Sequence, residues 1–333
     1  MPDLIHNPRN AVTASIERVD QDGVALVRKI LNGLNTADTP AEWRASTQPH
    51  HWNYWRREAC VYLSDLAERL EGSGVRLPRL VDARASRWRS ELDLEDVAGR
   101  SGAALRREDY DHIAEAWGRA QKQLRDFTAP WVSRGFIAEY AQSKRVSYDL
   151  LEDDAAWQRP LIRDNWPVEL KEGLVYLSSH RGELLRILQT APRYACHLDF
   201  WPNNVIIDDQ GSVVVLDWSF FGSGALAEDI GNFIPDAVFD GFIAAQHFAD
   251  VEERMTLAYC RGSGAGLADV RLCLRASAVK YVWLGPLLLA RAGEDQQTVY
   301  GGQILKDAND QYRHRGQALL ALCHWAEYAI AHG

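Results

Sequence analysis

Three polar side chains in one segment of the chain have the types and spacing of a metal-assisted catalytic site. His197-Leu-Asp199 is followed by Asn204, and Asp217 closes an apolar run thirteen residues after that asparagine. An asparagine and an aspartate supply the hard oxygen ligands that Mg²⁺ prefers, while a separate carboxylate can accept a proton from a hydroxyl group. This set of groups is suited to phosphoryl transfer, in which the phosphate charge is neutralised and the nucleophile is held by a base.

The same residues resemble those of a known family. The pattern H-x-D-x-x-x-x-N over 197–204, followed by Leu216-Asp217-Trp218, is similar to the catalytic segments of the aminoglycoside phosphotransferase and choline kinase family, which are small-molecule relatives of the protein kinases. The resemblance implies that Asp199 is the catalytic base and that Asn204 and Asp217 are Mg²⁺ ligands. It also implies that His197 is a structural residue that forms hydrogen bonds.

A further acidic residue, Asp229, lies in the segment Ala227-Glu-Asp229-Ile-Gly-Asn. The family keeps an acidic residue here, so the resemblance implies that Asp229 braces the catalytic loop. A carboxylate that only stabilises a helix N-terminus is an equally good interpretation of the sequence.

A lysine and a glutamate in the first hundred residues are candidates for holding the nucleotide. Lys29 shares a face of a predicted strand with Val27 and Leu31, as the lysine of the kinase V-A-I-K strand does. Glu58 lies in Trp55-Arg-Arg-Glu58-Ala, which resembles the W-x-R-E stretch of these enzymes. An ion pair between them would place Lys29 on the α- and β-phosphates. The alternative for Glu58 is an exposed helix carboxylate.

The rest of the nucleotide site is less complete. Leu94-Glu95-Asp-Val97 resembles the linker that binds adenine through its main chain, which places Glu95 and Val97 at the nucleotide. No G-x-G-x-x-G loop precedes the lysine strand. The sequence therefore does not identify the segment that covers the triphosphate. The candidates are His6-Asn-Pro-Arg-Asn10 and a residue from elsewhere in the chain.

Periodicity and turn residues predict the elements that position these groups. Strands at 11–19 and 24–31 form a hairpin through Asp22-Gly23. The prediction also includes a helix over 53–70, strands at 77–83 and 88–94, and a second hairpin at 204–217. Further helices are predicted near 107–125, 134–152, 168–189, 244–260, 267–291 and 303–331.

With the resemblance, this pattern predicts an α+β, bilobal protein-kinase-like fold. Residues 1–97 form an N-lobe of antiparallel sheet and one helix that binds the nucleotide. Residues 98–333 form a larger helical C-lobe that contains the catalytic loop and the acceptor site.

The charge distribution bears on the partners. The chain has 46 acidic and 37 basic residues, a net charge of -9, which disfavours nucleic acid because phosphate binding needs a basic face. Sixty residues between Arg193 and Arg254 contain eleven carboxylates and no Lys or Arg. This acidic stretch is either a solvated surface or a site for cations, whether metal ions or a positively charged substrate.

Targeting signals are not recognised in the sequence. The N-terminal residues lack a basic region followed by an apolar one, and no apolar stretch has the length of a membrane span. Five cysteines without C-x-x-C spacing predict reduced thiols rather than disulfides or structural zinc. We expect a cytoplasmic protein that does not bind a membrane; the oligomeric state is open.

The sequence therefore favours an ATP- and Mg²⁺-dependent transfer of the γ-phosphate to a hydroxyl of a small molecule, with GTP as the alternative donor. A protein substrate is disfavoured because Trp218 leads almost directly into Asp229, without an activation loop. A catalytically silent, nucleotide-binding relative is the alternative from another class, because the glycine loop is missing.

The acceptor is assigned only by class. The acidic stretch favours an aminoglycoside or another amino-sugar antibiotic, whose ammonium groups carboxylates would attract. The same fold could also bind and phosphorylate a nucleoside antibiotic, choline, homoserine or a sugar. The candidate acceptor-side residues on the C-terminal helices are Asp236, Asp240, Tyr281 and Trp283.

Overall fold

The structure, a computed structural model, describes residues 10–294 and 307–333. Within these ranges the strands are β1 (Thr13–Gln21), β2 (Val24–Asn32), β3 (Val75–Arg76), β4 (Leu80–Ala85), β5 (Arg89–Glu95), β6 (Gly99–Ser101), β7 (Ser133–Arg134), β8 (Arg193–Cys196), β9 (Val205–Asp208), β10 (Val213–Val215) and β11 (Gly222–Ala225). The helices are α1 (Arg57–Tyr62), α2 (Leu66–Arg69), α3 (Arg107–Gln123), α4 (Phe136–Ser143), α5 (Asp154–Trp157), α6 (Pro160–Arg163), α7 (Leu170–Ser179), α8 (Arg181–Thr190), α9 (Glu228–Phe239), α10 (Phe248–Ser263), α11 (Leu267–Ala276), α12 (Leu284–Ala290) and α13 (Ala308–His332). An antiparallel sheet followed mainly by helices confirms the predicted α+β class.

The N-terminal sheet begins with the predicted hairpin. β1 and β2 pair along their length, and Asp22 and Gly23 between them have φ values of 55° and 81°, as a two-residue turn between twisted strands requires. The sheet continues in the order β1-β2-β5-β4. β2 is therefore an interior strand, and Lys29 in this strand lies opposite Leu92 of β5.

The helix predicted over 53–70 is interrupted and forms α1 and α2. The Ser64 hydroxyl donates to the carbonyl of Val61 at 2.7 Å and accepts the N–H of Leu66 at 3.3 Å. Such local side-chain bonds compete with the helical ladder. Glu58 still lies in the first turn of α1, facing the sheet.

Two small sheets surround the catalytic segment. The hairpin predicted at 204–217 is formed by β9 and β10, which join β3 and β6 in the order β3-β10-β9-β6. β3 precedes residue 97 in the sequence, but it pairs with β10 in the C-terminal part of the chain. The division into two lobes at residue 97 remains a prediction.

The sheet β7-β11-β8 is not predicted by the sequence. β11 has the sequence Gly-Ser-Gly-Ala, and glycine and serine are typical of turns rather than of strands. A Cβ on Gly224 would lie 2.6 Å from the sulfur of Cys196 in β8. The close approach of these strands therefore needs a glycine in a strand.

Several predicted helices are shorter or divided. The 134–152 prediction corresponds to α4 and a 3-10 turn at Tyr148–Leu151, and the 168–189 prediction to α7 and α8. The 267–291 prediction contains α11, a 3-10 helix at Ser277–Tyr281, and α12. Pro286 accounts for the break between the 3-10 helix and α12, because it cannot donate to the carbonyl of Val282 and its ring would clash there. The last helix is α13, and residues 303–306 of its predicted range lie outside the described residues.

Among the described residues, one helical stretch is long and apolar enough to cross a membrane by length and composition alone. It spans Leu267–Ala290, and 72% of its most apolar window is buried inside the protein. A core helix passes the same test, and the burial of this stretch fits that interpretation.

The helices α3 and α10 pack through glycines. A Cβ on Gly118 would lie 2.7 Å from the carbonyl oxygen of Tyr259, and a Cβ on Gly262 would overlap the carbonyl oxygen of Glu115. Both neighbours are backbone atoms, which cannot rotate away. α3 carries Trp117 and Gln121 toward the catalytic loop, so this contact fixes one wall of the site.

We expect Gly262→Ala to lower the free energy of unfolding by about 1–3 kcal/mol, because the methyl group overpacks a backbone contact. The matched control is Gly182→Ala in α8, where a Cβ meets no atom within 4 Å. There the change removes a helical glycine and should stabilise by up to about 1 kcal/mol. Urea denaturation measures both, and equal effects of the two variants would contradict the packing argument.

Candidate active site

The catalytic loop, residues 197–204, connects β8 to β9. Leu198 has a φ of 69°, an unusual backbone conformation for a leucine. The imidazole of His197 donates from Nε2 to the carbonyl of Leu216 at 2.8 Å and accepts the N–H of Asp199 at Nδ1, 3.3 Å away. Burial lowers the pKa of His197 to about 4, so the ring is neutral and ties the loop to the end of β10.

Asp229 lies beneath this loop and is fully buried. Its Oδ1 accepts the N–H of Leu198 at 2.8 Å, and its Oδ2 accepts the N–H of His197 at 2.9 Å. The indole of Trp117 and the amide of Gln121 donate to the same Oδ2, at 3.0 and 3.3 Å. These contacts fit a brace for the loop, the first of the two interpretations of the sequence, because they hold the strained backbone of Leu198 directly.

Asp199 and Asn204, both in this loop, are in contact through hydrogen bonds. The amide of Asn204 donates to the carbonyl and to Oδ2 of Asp199, both at 2.9 Å. This fixes the amide orientation and turns Oδ1 of Asn204 away from Asp199. Burial, together with the charges of Asp217 and Asp236, raises the pKa of Asp199 to about 7. A carboxylate with such a pKa is a better proton acceptor than an ordinary aspartate.

Asp217 follows β10 with a φ of 54°. Its Oδ1 accepts hydrogen bonds from Nζ of Lys29 at 2.8 Å and from the hydroxyl of Ser219 at 2.7 Å. Burial alone would raise the pKa of Asp217, but the Lys29 ammonium outweighs it and lowers this pKa to about 2. Asp217 is therefore a carboxylate at neutral pH, with 31% of its side chain exposed for a ligand.

Lys29 and Glu58 form a buried ion pair, 2.6 Å between Nζ and Oε2. Burial opposes the charge of Lys29, but Asp217 and Glu58 together hold its pKa above the ordinary value. Glu58 is 1% exposed at its side chain, so the exposed-carboxylate alternative is wrong. The pairing is the expected one; the role of both residues toward a nucleotide stays a prediction.

The predicted adenine linker is only partly available. Glu95 binds Arg76 through both carboxylate oxygens, at 2.9 and 3.1 Å, and its N–H donates to the carbonyl of Arg79. Its N–H and its carboxylate are therefore occupied within the protein, but these contacts do not involve its carbonyl, and the place of Glu95 at the nucleotide stays a prediction. Val97 is half-buried, and its main chain forms no hydrogen bond with other residues in the described ranges. It remains the candidate for a main-chain contact with the base.

The four acceptor-side candidates separate into two groups. Tyr281 is 3% exposed and its hydroxyl donates to the carbonyl of Asn232, so it is a core residue and not an acceptor contact. Asp236, Asp240 and Trp283 are half-buried. Burial and the charge of Asp236 raise the pKa of Asp240 to about 7, and the Trp283 ring lies 5.1 Å from Nζ of Lys144.

About half of the carboxylates in the acidic stretch form ion pairs with basic residues from outside it, including Asp217 with Lys29 as described above. The other ion pairs are Asp208 with Arg76, Asp236 with Lys280, Asp250 with Arg107 and Arg254, Glu252 with Arg275, and Glu253 with Arg271. Glu228 and Asp229 are buried and accept backbone N–H groups. The stretch is therefore not one continuous free acidic surface, and a positively charged substrate stays a prediction.

Arg57 is a residue of this site that sequence reasoning missed. It is fully buried, without an acidic partner among the described residues. Its guanidinium donates to five backbone carbonyls, those of Pro49, His51, Trp52, Trp131 and Ser219. Burial lowers its pKa to about 10, so it remains charged at neutral pH. The nearby Trp55 and Glu58 mark this helix in the sequence, but no motif around Arg57 indicates its contact with the carbonyl of Ser219.

Comparison with known proteins decides the family. The profile described as the phosphotransferase enzyme family matches residues 34–272, more than half of the chain. The chain belongs to this phosphotransferase family. The match includes the catalytic loop, Asp217 and Asp229 and begins after β2, so Lys29 lies outside it. No protein among those with curated annotation matches the chain.

Solved structures show the fold of this phosphotransferase-family protein. Amicoumacin kinase hAmiN, in complex with AMP-PNP, Ca²⁺ and Ami, is 12% identical, with 93% of this chain and 87% of that chain covered and a TM-score of 0.56. Aminoglycoside phosphotransferase from Alicyclobacillus acidocaldarius is 14% identical, with 100% and 98% covered and a TM-score of 0.54. These likenesses confirm the protein-kinase-like fold.

We expect Arg57→Lys to lower the free energy of unfolding by about 3 kcal/mol or more, because a single ammonium leaves several buried carbonyls without a donor. The matched control is Arg56→Lys on the same turn, where Nη2 donates to two exposed carbonyls and the change should cost less than about 1 kcal/mol. Thermal and denaturant unfolding measure the difference. Similar losses of unfolding free energy in the two variants would show that the five carbonyl contacts of Arg57 are not important for stability.

Proposed function

We propose that this protein transfers the γ-phosphate of ATP to a hydroxyl group of a small molecule and requires Mg²⁺, with GTP as the alternative donor. The observation that carries the proposal is the position of Asp199. Its carboxylate is held by Asn204 at 2.9 Å, and its pKa is raised in part by Asp217, which is itself paired with Lys29. A proton acceptor, two oxygen ligands and a phosphate-binding cation thus lie at one place.

The donor set fits a magnesium ion. Oδ1 of Asn204 and the carboxylate of Asp217 are hard oxygen donors, and Oδ2 of Asp217 accepts no hydrogen bond from the described residues. Mg²⁺ is commonly held by one or two protein oxygens together with substrate phosphates and water. It would neutralise charge on the triphosphate. The complex of amicoumacin kinase with AMP-PNP and Ca²⁺ supports binding of a nucleotide and a divalent metal by this fold.

In the proposed reaction Asp199 accepts the proton of the acceptor hydroxyl. The hydroxyl oxygen forms a bond to the γ-phosphorus, and the bond from that phosphorus to the β,γ-bridging oxygen breaks, so that ADP leaves with the electron pair. Lys29, held by Glu58, places its ammonium on the phosphates. Asn204 orients Asp199 through two hydrogen bonds, and the neutral His197 fixes the loop that carries both.

The acceptor class rests on the family. Amicoumacin kinase and aminoglycoside phosphotransferase support a small-molecule acceptor, and an antibiotic is one candidate for this chain. From Asp217 the chain runs through a 3-10 turn and β11 into α9, which leaves little room for a protein-substrate loop. The alternative, a catalytically silent nucleotide-binding protein, is tested by turnover with a panel of alcohols, ATP and Mg²⁺. Absence of phosphorylated product across the panel would favour it.

We expect Asp199→Asn to lower kcat by about 100-fold or more, because the substitution removes the proton acceptor. ATP binding should change little, since the amide keeps the shape and Asp217 and Lys29 are untouched. Steady-state kinetics with the best acceptor measures the effect. Asp209→Asn, in the exposed turn between β9 and β10, is the control. Unchanged turnover in Asp199→Asn would remove this residue from the mechanism.

The second expectation concerns the metal and the nucleotide. Asp217→Ala should abolish the increase in ATP affinity that Mg²⁺ produces, whereas Lys29→Ala should weaken ATP binding with and without Mg²⁺. Isothermal calorimetry with ATP, in the presence and absence of Mg²⁺, distinguishes the two. Identical titrations of the wild type and Asp217→Ala would contradict the assignment of Asp217 as a ligand.

A further inference from the structure

Two buried polar side chains, Gln121 of α3 and Tyr259 of α10, form a hydrogen bond to each other behind the catalytic loop. Both residues are 0% exposed. The Tyr259 hydroxyl donates to Oε1 of Gln121 at 2.6 Å. The two helices approach closely at Gly118, where a Cβ would lie 2.7 Å from the carbonyl oxygen of Tyr259 itself. The proposed reaction gives neither polar side chain a role of its own.

The amide of Gln121 binds the strand that enters the catalytic loop. Its Nε2 donates to the carbonyl of Ala195 at 2.9 Å and to Sγ of Cys196 at 3.1 Å. The same nitrogen donates to Oδ2 of Asp229 at 3.3 Å. Because these partners accept hydrogen bonds, the N–H side of the amide faces them and its oxygen faces Tyr259. The Tyr259 hydroxyl is the donor that satisfies this buried oxygen.

The Tyr259 hydroxyl also contacts the start of α9. It accepts the N–H of Ala227 at 3.4 Å. Ala227 has a φ of 58° and lies two residues before Asp229. One hydroxyl group therefore connects the helix that carries Gln121 with the beginning of the helix that carries Asp229.

Asp229 depends on its hydrogen bonds because it is buried without an opposite charge. Within the described residues it has no ion pair, and its donors are the N–H groups of His197 and Leu198 and the side chains of Trp117 and Gln121. Burial raises the pKa of Asp229 to about 6 against these hydrogen bonds, so it is a carboxylate at neutral pH. A buried carboxylate of this kind is sensitive to the loss or displacement of any donor.

We propose that Gln121 and Tyr259 are positioning residues for the phosphotransfer. They hold the Asp229 carboxylate under Leu198 and thereby fix the backbone that carries Asp199. This inference rests on the proposed function and adds two residues that contact neither nucleotide nor acceptor. Displacement of a proton acceptor lowers the rate of the reaction without changing how the nucleotide binds. Changes at Gln121 and Tyr259 should therefore affect kcat and leave ATP affinity intact.

Tyr259→Phe removes only the hydroxyl and is the first test. We expect kcat to fall about threefold or more, as loss of a buried hydrogen bond to the loop support predicts, with unchanged affinity for AMP-PNP and Mg²⁺ in calorimetry. The matched control is Tyr312→Phe in α13. Tyr312 is also 0% exposed, and its hydroxyl donates to the carbonyl of Leu288 at 3.0 Å. The control should lower the melting temperature by a similar amount and leave kcat unchanged.

Gln121→Met tests the route from Tyr259 to the loop. The substitution keeps the length of the side chain and removes the amide, and we expect kcat to fall about tenfold or more. Because Tyr259 acts largely through Gln121, the double variant should have a kcat close to that of Gln121→Met alone. If Gln121→Met does not fold, Tyr259→Phe and its control decide the question.

Hydrogen exchange, measured by mass spectrometry on peptides within 193–204, tests the support of the loop without turnover. The two loop N–H groups that donate to Asp229 should exchange about threefold or more faster in Tyr259→Phe and in Gln121→Met than in the wild type. Tyr312→Phe should exchange these groups at the wild-type rate, because a general loss of stability does not act on this loop alone.

The inference is overturned if loop exchange is unchanged in Tyr259→Phe, if Tyr312→Phe lowers kcat as much as Tyr259→Phe does, or if the effects of Tyr259→Phe and Gln121→Met simply multiply in the double variant. Absence of turnover in the wild type with the panel of alcohols would instead contradict the proposed function. In that case loop exchange still decides whether Gln121 and Tyr259 hold the catalytic loop.

Discussion

The buried ammonium of Lys29 holds the catalytic parts together. It contacts Glu58 at 2.6 Å and Asp217 at 2.8 Å, and both Lys29 and Glu58 are almost completely shielded from water. Removing three charges from water is costly unless they compensate one another at close range. The pairing therefore fixes β2, α1 and the end of β10 relative to one another, and these elements come from distant parts of the chain.

Asp217 is held from a second direction by Arg57. The guanidinium binds the carbonyl of Ser219, two residues after Asp217, and also the loop that precedes α1. Because Arg57 and Glu58 are neighbours on one short helix, a shift of α1 would break both sets of contacts. The position of Asp217 is thus fixed by contacts within the protein, which would reduce the ordering required in the proposed binding of the phosphates.

Local patterns in the sequence were sufficient for the parts of the site that lie within one segment. The spacing of His197, Asp199 and Asn204 is preserved because one loop carries all three. The hairpin that contains Lys29 could be predicted for the same reason, since Asp22-Gly23 determines its turn. Arg57 could not be found this way, because its partners are backbone carbonyls rather than opposite charges, and two of them, those of Trp131 and Ser219, are distant in the sequence.

The acidic stretch shows most clearly why charge along the sequence differs from charge in space. Asp250 and its partner Arg107 are 143 residues apart, so several carboxylates of a run without Lys or Arg still gain a cationic partner after folding. Surface pairs of this kind contribute little stability, but they weaken the local field around the carboxylates that they involve. The electrostatic environment of Asp199 therefore depends on the few charged groups close to it rather than on the sum of charges along the sequence. The charges of Asp217 and Asp236 raise the pKa of Asp199, and the charge of Lys280, which comes from a distant part of the sequence, opposes them.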